Sequence, residues 1–243
     1  MSAQFKESDK TKKSILHAAK TEFAAKGFSG ARMGSIASIA GVNQALIHYH
    51  FGSKEDLYKA VIEKLVVDIS GIYDKKIISE VDSWNVPPDL KLCAAIYVFV
   101  NAGLYIHDDD FNRIMAYEIA EGKGVIHEFI REYLIPQLHS VDEIIKDGVS
   151  TGIFDISNTM LLSINILTFI RHLAQGVDFF KGTGVCDEIY SNRSEILFNF
   201  MLQYIFKALR PEGKELLIPD LDQEKKNKLD SILKEMRDDI KNF

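Results

Sequence analysis

The 243-residue chain is 47% apolar and carries 29 Lys/Arg against 35 Asp/Glu, a net charge of −6. That composition allows a real core in one large domain or two modest ones, and five prolines with dispersed glycines favour helices over many short strands. Several classes are excluded at once. Cys93 and Cys186 lie far apart with no CxxC or finger spacing, so they read as small buried hydrophobes of a reducing cytoplasm. The polar start MSAQFKESDK lacks the apolar segment of a signal peptide. The most apolar runs, Leu92–Ile106 and Met160–Phe180, are interrupted by Asn101, Gly103, Asn165, Arg171, His172 and Asp178. Neither reaches the roughly 18 unbroken apolar residues of a membrane span, so both are expected as buried helices of a cytoplasmic protein.

Charge is unevenly spread. Residues 1–60 hold nine Lys/Arg and five Asp/Glu, or +4, whereas the remainder holds 20 basic and 30 acidic residues, or −10. A basic head on an acidic body suits a polyanion partner for the head alone.

In chain order, Ile15, Ala19 and Phe23 repeat at four and predict a first helix over Asp9–Lys26, stopped by Gly27. A second helix is expected over Met33–Ala40, with Ile36, Ile39 and Ala40 inward. Gly41 and Val42 turn the chain, and Asn43 caps a third short helix, Gln44–His50. Ser53 caps a longer helix, with Glu55 and Asp56 in its first turn, running towards Ile78. NVPPD at 85–89 breaks the chain. Helices follow at about 89–106, 109–120 and 124–151, the last kinked by Pro136. GVSTGIFD at 148–155 ends that segment. Long helices then cover about 157–180 and 188–209, and RPEG at 210–213 is a stop. From Asp220 the tail is charged, with Leu229, Ile232, Leu233, Met236 and Ile240 on one face of an amphipathic helix. The predicted fold class is all-α.

Residues 33–51 fit a helix-turn-helix. Ala37 is small where the following helix crosses it, and Gly41 takes a left-handed turn that a side chain would resist. Ile36, Val42 and Ile47 point into a three-helix core with helix 1. The free face of helix 3 carries Asn43, Gln44, Ala45, His48 and Tyr49. A helix presented in this way fits the major groove of DNA. Gln44 can pair with adenine, and Ala45 can touch a thymine methyl. Arg32, Ser35, Tyr49 and Lys54 complete the candidate DNA-binding set, with Arg32, Tyr49 and Lys54 as phosphate contacts.

The stretch KGFSGARMGSIASIAGVNQALIHYHFGSKEDLY, residues 26–58, resembles the DNA-binding domain of TetR-type transcriptional regulators. The resemblance rests on the GF after helix 1, the IA–x–x–AGV core, the HF closing helix 3 and the K-E-x-L opening helix 4. Departures are Arg32 in place of the usual Thr, Ala45 in place of the usual Gly, and His48 in place of a Tyr. His48 makes one phosphate contact sensitive to pH. The resemblance implies a helix-turn-helix domain over 1–52, an effector-binding and dimerisation domain over 53–215, and a charged C-terminal helix over 216–243. It further implies a homodimer through helices 157–180 and 188–209, with Leu161, Ile164, Thr168, Leu197, Met201 and Ile205 packing in a four-helix bundle. It implies a small-molecule effector, expected to be largely apolar with a polar group. Candidate ligand contacts are Tyr97, Asn101, Phe111, Met115, Glu118, His127, Phe169 and His172. The partner is a double-stranded DNA operator, and no cofactor, metal or membrane is expected.

Catalysis finds no support. None of the seven histidines follows an acidic residue by three, so no E-x-x-H di-iron pair exists, and no phosphate loop or GxSxG elbow occurs. HDDD at 107–110 reads as a helix cap rather than a metal site. The expected function is a DNA-binding repressor released by its effector. The alternative is an architectural or chromosome-organising DNA-binding protein of the same fold without an effector.

Overall fold

The computed structural model describes residues 3–70, 75–105, 109–122, 124–180, 182–184, 192–215 and 217–241, and all regular structure among the described residues is helical. In order these helices are α1 Ala3–Gly30, α2 Met33–Ala40, α3 Gln44–Phe51, α4 Lys54–Ser70, α5 Lys75–Ser83, α6 Pro88–Tyr105, α7 Asp109–Glu121 and α8 Val125–Phe129. A π-helical segment, Ile130–Leu134, leads into α9 Ile135–Ser150, followed by α10 Thr159–Phe179, α11 Arg193–Leu209 and α12 Gln223–Lys241.

These helices form two compact units. The first combines α1–α4 with α7, α8 and the π segment. Its core is built on Ile15, Ala19 and Phe23 of α1, Ile36 and Ala37 of α2, Ile47 of α3, Leu57, Val61 and Ile62 of α4, and Phe111 and Ile114 of α7. Tyr58 sits edge-on to both Phe23 and Phe28, with centroids 4.9 and 5.1 Å apart. Such contacts add to area burial because ring edges and faces carry opposite partial charge.

Local chemistry explains the boundaries. Gly27 has φ +67°, and a Cβ there would lie 2.6 Å from Glu121 Oε1 and 2.8 Å from the Tyr117 ring. Gly27 therefore breaks the helix as expected, although helical turns resume to Gly30, beyond the predicted end at Lys26. Gly41 adopts φ 68° and ψ 29°, the left-handed cap that ends α2, with open space around its missing Cβ. Backbone conformation, not crowding, is what calls for glycine there. Asn43 caps α3 by accepting the Leu46 N–H at 2.8 Å. Ser53 and Asp56 cap α4 reciprocally. Ser53 Oγ accepts the Asp56 N–H at 3.0 Å, and the Asp56 carboxylate accepts from Ser53 N–H and Oγ.

Two expectations need correction. Ile39, read as inward, is 50% exposed, because α2 buries Ile36 and Ala37 and turns the next position outward. The helix from Ser53 is described to Ser70 and a separate helix begins at Lys75; residues 71–74, which the predicted helix towards Ile78 crosses, lie outside the described residues.

The second unit contains α5, α6, α9, α10, α11 and most of α12. A π-helical segment, Ile130–Leu134, stands just before Pro136, where the sequence predicted a kink. A ring without an N–H disrupts the preceding turn, and one extra residue per turn accommodates it. After α9, Gly148 O accepts both Ile153 N–H and Phe154 N–H at 2.9 Å, and Asn158 Oδ1 caps α10 through Leu161 N–H. The tail helix α12 is docked: Leu221, Leu229 and Leu233 are buried, Tyr97 Oη donates to Asp230 at 2.8 Å, and Lys76 pairs with Glu235. Met236 and Ile240 of its predicted apolar face, and Cys186, lie outside what is described. Cys93 is buried and unoxidised, its thiol pushed up to about 12 by burial and by the nearby Asp220. No helix among the described residues is long and apolar enough to cross a membrane, and none of their acidic, histidine and cysteine side chains cluster as a metal site.

Candidate functional site

The helix-turn-helix is built from α2, the Gly41 turn and α3. Ile47 is fully buried and pins the inner side of α3 to the first unit's core. Its other side is left open. Gln44, Ala45 and His48 are exposed there, and Tyr49 is 82% exposed. Its ring stands edge-on to His50, with centroids 5.1 Å apart.

Hydrogen bonds within this face set its chemistry. His48 Nδ1–H donates to Gly52 O at 2.6 Å, so in the neutral ring Nε2 is the acceptor; the Gln44 amide approaches it at 3.5 Å. Asn43 is committed to its capping bond. Lys54 places Nζ 4.7 Å from the Phe28 centroid, a cation–π contact that steadies the ammonium at the start of α4.

Arg32 and Ser35 at the start of α2 are held by a carboxylate that sequence reasoning passed over. Glu22 of α1 is buried, accepting the Arg32 N–H at 3.2 Å, Ser35 Oγ–H at 3.0 Å and Lys26 Nζ at 2.9 Å. Burial alone would raise its pKa, but the bonds from Lys26, Ser35 and Arg32 outweigh it and hold the carboxyl below the usual range. The Ser35 hydroxyl is thus already engaged, which makes it a positioning group before it is a phosphate contact. The available signal was an acidic residue next to the apolar Phe23 on a helix otherwise facing the core.

Two further carboxylates tie α7 into the same unit. Glu118 is buried and accepts Tyr58 Oη–H at 2.8 Å and the N–H groups of Val125 at 2.6 Å and Ile126 at 3.3 Å. Burial and the Glu118 carboxylate push the Tyr58 phenol well above its ordinary range. Glu121 accepts Ser29 N–H and Ser29 Oγ–H, the latter at 2.9 Å. The Tyr58–Glu118 and Ser29–Glu121 bonds span 60 and 92 residues of sequence, which is why periodicity could not reveal them.

The candidate ligand residues are divided between the two units. Phe111, Met115 and Glu118 belong to the core of the first unit, and His127 is exposed on α8. Tyr97 and Asn101 lie in the second unit. Tyr97 donates to Asp230, while Asn101 Nδ2 donates to Tyr97 O and its Oδ1 accepts Ser194 Oγ–H. Phe169 stacks near Phe200 and Tyr204, and His172 is exposed, with Nδ1 bonded to Thr168 O. A cavity of about 350 Å³ lies elsewhere in the second unit. Ile77 and Val81 of α5, Ala95 and Phe99 of α6, and Val141 and Ile144 of α9 supply its apolar wall, and Gln137 lines it as well. Its apolar lining comes from three separate helices, a proximity invisible in the sequence until the helices pack.

An uncovered apolar face also lies in the second unit. Leu161 (62%) and Ile164 (40%) of α10 and Ile196, Phe200 (50%) and Tyr204 of α11 are exposed. Phe169, Phe200 and Tyr204 form a ring cluster there, with centroids 5.2 to 6.5 Å apart. The expected α11 contacts Leu197, Met201 and Ile205 are instead buried in the unit's own core. The helix is apolar on two sides, and the outward side is one residue earlier in the sequence.

Residues 15–61 match the family of bacterial regulatory proteins described as tetR family. The chain is similar to the transcriptional regulator RutR of Escherichia coli, 26% identical over 210 residues, covering 82% of this chain and 91% of that one. It is 42% identical over 60 residues to the transcriptional repressor SCO4008 of Streptomyces coelicolor, covering 25% of this chain and 31% of that one. Among solved structures, FadR of Bacillus subtilis in complex with stearoyl-CoA shares the fold at a TM-score of 0.55 and 18% identity, over 81% of this chain and 98% of that one. A tetR-family regulatory protein from Rhodococcus RHA1 shares it at 0.58 and 13% identity, over 82% and 96%. The match to the tetR family thus rests on the helix-turn-helix region of this chain, and over most of its length the chain is similar to transcriptional regulators.

Proposed function

We propose that the chain is a homodimeric repressor that leaves its operator when a small, largely apolar effector occupies the second unit. The observation that carries this reading is α3: a helix pinned by Ile47 with Gln44, Ala45, His48 and Tyr49 turned outward. Gln44 and Ala45 read base edges, while Tyr49, Lys54 and Arg32 hold phosphates and fix register. A short helix reads few base pairs, so two copies on half-sites about one helical turn apart multiply selectivity. The exposed face of Leu161, Ile164, Phe200 and Tyr204 supports pairing of two copies through α10 and α11.

Repression is supported by the similarity of 60 residues to SCO4008, a repressor. An effector is supported by the 350 Å³ apolar cavity and by the fold shared with FadR, which was solved with stearoyl-CoA. Such a ligand shifts operator affinity only by the difference in its own affinity for the DNA-competent and DNA-incompetent arrangements. The test is a mobility-shift titration on selected operator DNA, followed by a screen for small molecules that release it. Release by an apolar compound, lost in a cavity-filling variant, supports the reading. Tight DNA binding at many unrelated sites, with no compound able to release it, would favour an architectural protein.

A further inference from the structure

The cavity among α5, α6 and α9 holds one polar atom with an unmet need. Gln137 is 7% exposed, lines the cavity, and its Oε1 has no hydrogen-bond partner. A buried amide oxygen beside an apolar wall calls for a donor. The ionisable groups around the cavity lean the same way. Asp82, Glu143 and Asp147 line it against a single ammonium, Lys91, which leaves a surplus of two negative charges. Lys91 is tied to Asp82 at 3.2 Å, and nearby Lys146 is tied to Glu143 at 3.0 Å and to buried Asp142 at 2.8 Å. Both ammonium groups are therefore already engaged by carboxylates. Gln137 and Asp147 lie ten residues apart on α9, roughly 15 Å. The carboxylates thus bias the cavity by their field, while Gln137 makes the contact.

Building on the effector reading above, we propose that this cavity selects a small apolar molecule ending in a hydrogen-bond donor, an ammonium before a hydroxyl, and rejects the carboxylate of the same tail. A carboxylate head brings an acceptor to an acceptor and a negative charge to a negative field. An ammonium or hydroxyl head satisfies Gln137 Oε1, and the ammonium gains from the field as well.

Three probes with one tail separate these terms: octylamine, 1-octanol and octanoate, titrated by calorimetry into the full chain at neutral pH. Octylamine is expected to bind tightest, octanol next, and octanoate at least about tenfold more weakly than octylamine. Gln137→Leu keeps the volume and removes the acceptor; it is expected to weaken octanol about tenfold and leave octanoate unchanged. Ala95→Trp fills the cavity and is expected to abolish binding of all three, with circular dichroism confirming that both variants fold. Octanoate binding as tightly as octylamine, still abolished by Ala95→Trp, overturns the ligand class and leaves an effector site standing. Octylamine binding untouched by Ala95→Trp overturns both the class and the site. No binding of any probe, or octanol binding indifferent to Gln137→Leu, also overturns the proposal.

Discussion

The two units solve opposite problems. In the first, Ile36, Ala37 and Ile47 of the helix-turn-helix close inward, and buried carboxylates at Glu22 and Glu118 satisfy backbone and hydroxyl donors between helices. The face α3 leaves open carries Gln44, His48 and Tyr49. In the second, apolar surface is left open both inside, as a cavity, and outside, along α10 and α11. The first unit closes its own core around a polar and aromatic face, which the proposed function gives to DNA. The second leaves apolar surface open, which the same proposal gives to a second copy and an effector.

The largest expected effect breaks the closed unit. Glu118→Ala strips Tyr58 Oη and the Val125 and Ile126 N–H groups of their acceptor and is expected to cost about 3 kcal/mol in urea denaturation. A loss below about 1 kcal/mol would mean that water or a neighbour satisfies them equally well. Next, Phe200→Asp places a charge in the exposed ring cluster of the open unit. Dimer dissociation in sedimentation experiments should rise at least about thirtyfold, or about 2 kcal/mol, with little change in the fold. A variant that remains dimeric would move the interface off α10 and α11.

On the DNA side, Gln44→Ala is expected to cost about 1–3 kcal/mol on the preferred base and less on others. Lys54→Ala should weaken all sequences alike and reduce the salt slope by about one. Equal loss on every sequence for Gln44→Ala would remove it from base reading. The smallest effect is on acid stability. Glu22 titrates below the usual 4.5 in the folded chain, so its contribution is present above that value and is lost as pH falls through the lower folded pKa. Asp142 in the second unit, buried yet held low by Lys146 and Thr159, acts in the same direction. Glu22→Gln should lower stability near neutrality and flatten the acid limb of a pH-stability curve; an unchanged acid limb would place that sensitivity elsewhere.

What the sequence revealed follows from the range of the interactions involved. The Asn43 and Ser53 caps, the Gly41 turn and the inward Ile36 and Ile47 are settled within a few residues, and each stands where the pattern puts it. Ile39 was misplaced because a two-turn helix carries too few positions to fix its phase. The outward face of α11 was missed by one residue because Ile196, Phe200 and Tyr204 run beside Leu197, Met201 and Ile205, and apolarity alone cannot rank the two stripes. Glu118 was expected as a ligand contact because a carboxylate in an apolar run suggests a site; its partners Tyr58 and Val125 come from other helices and become visible only after packing. The cavity, shared by three helices, is legible only in the folded chain.

The most direct test of the central claim is selection of binding sites for the full-length protein from random genomic fragments, followed by affinity measurement across a salt series. The account predicts enrichment of an inverted repeat with half-sites about one helical turn apart, saturable binding by a dimer, and affinity falling linearly with log salt. Weak binding of equal strength to every fragment, with no enriched sequence, would contradict it.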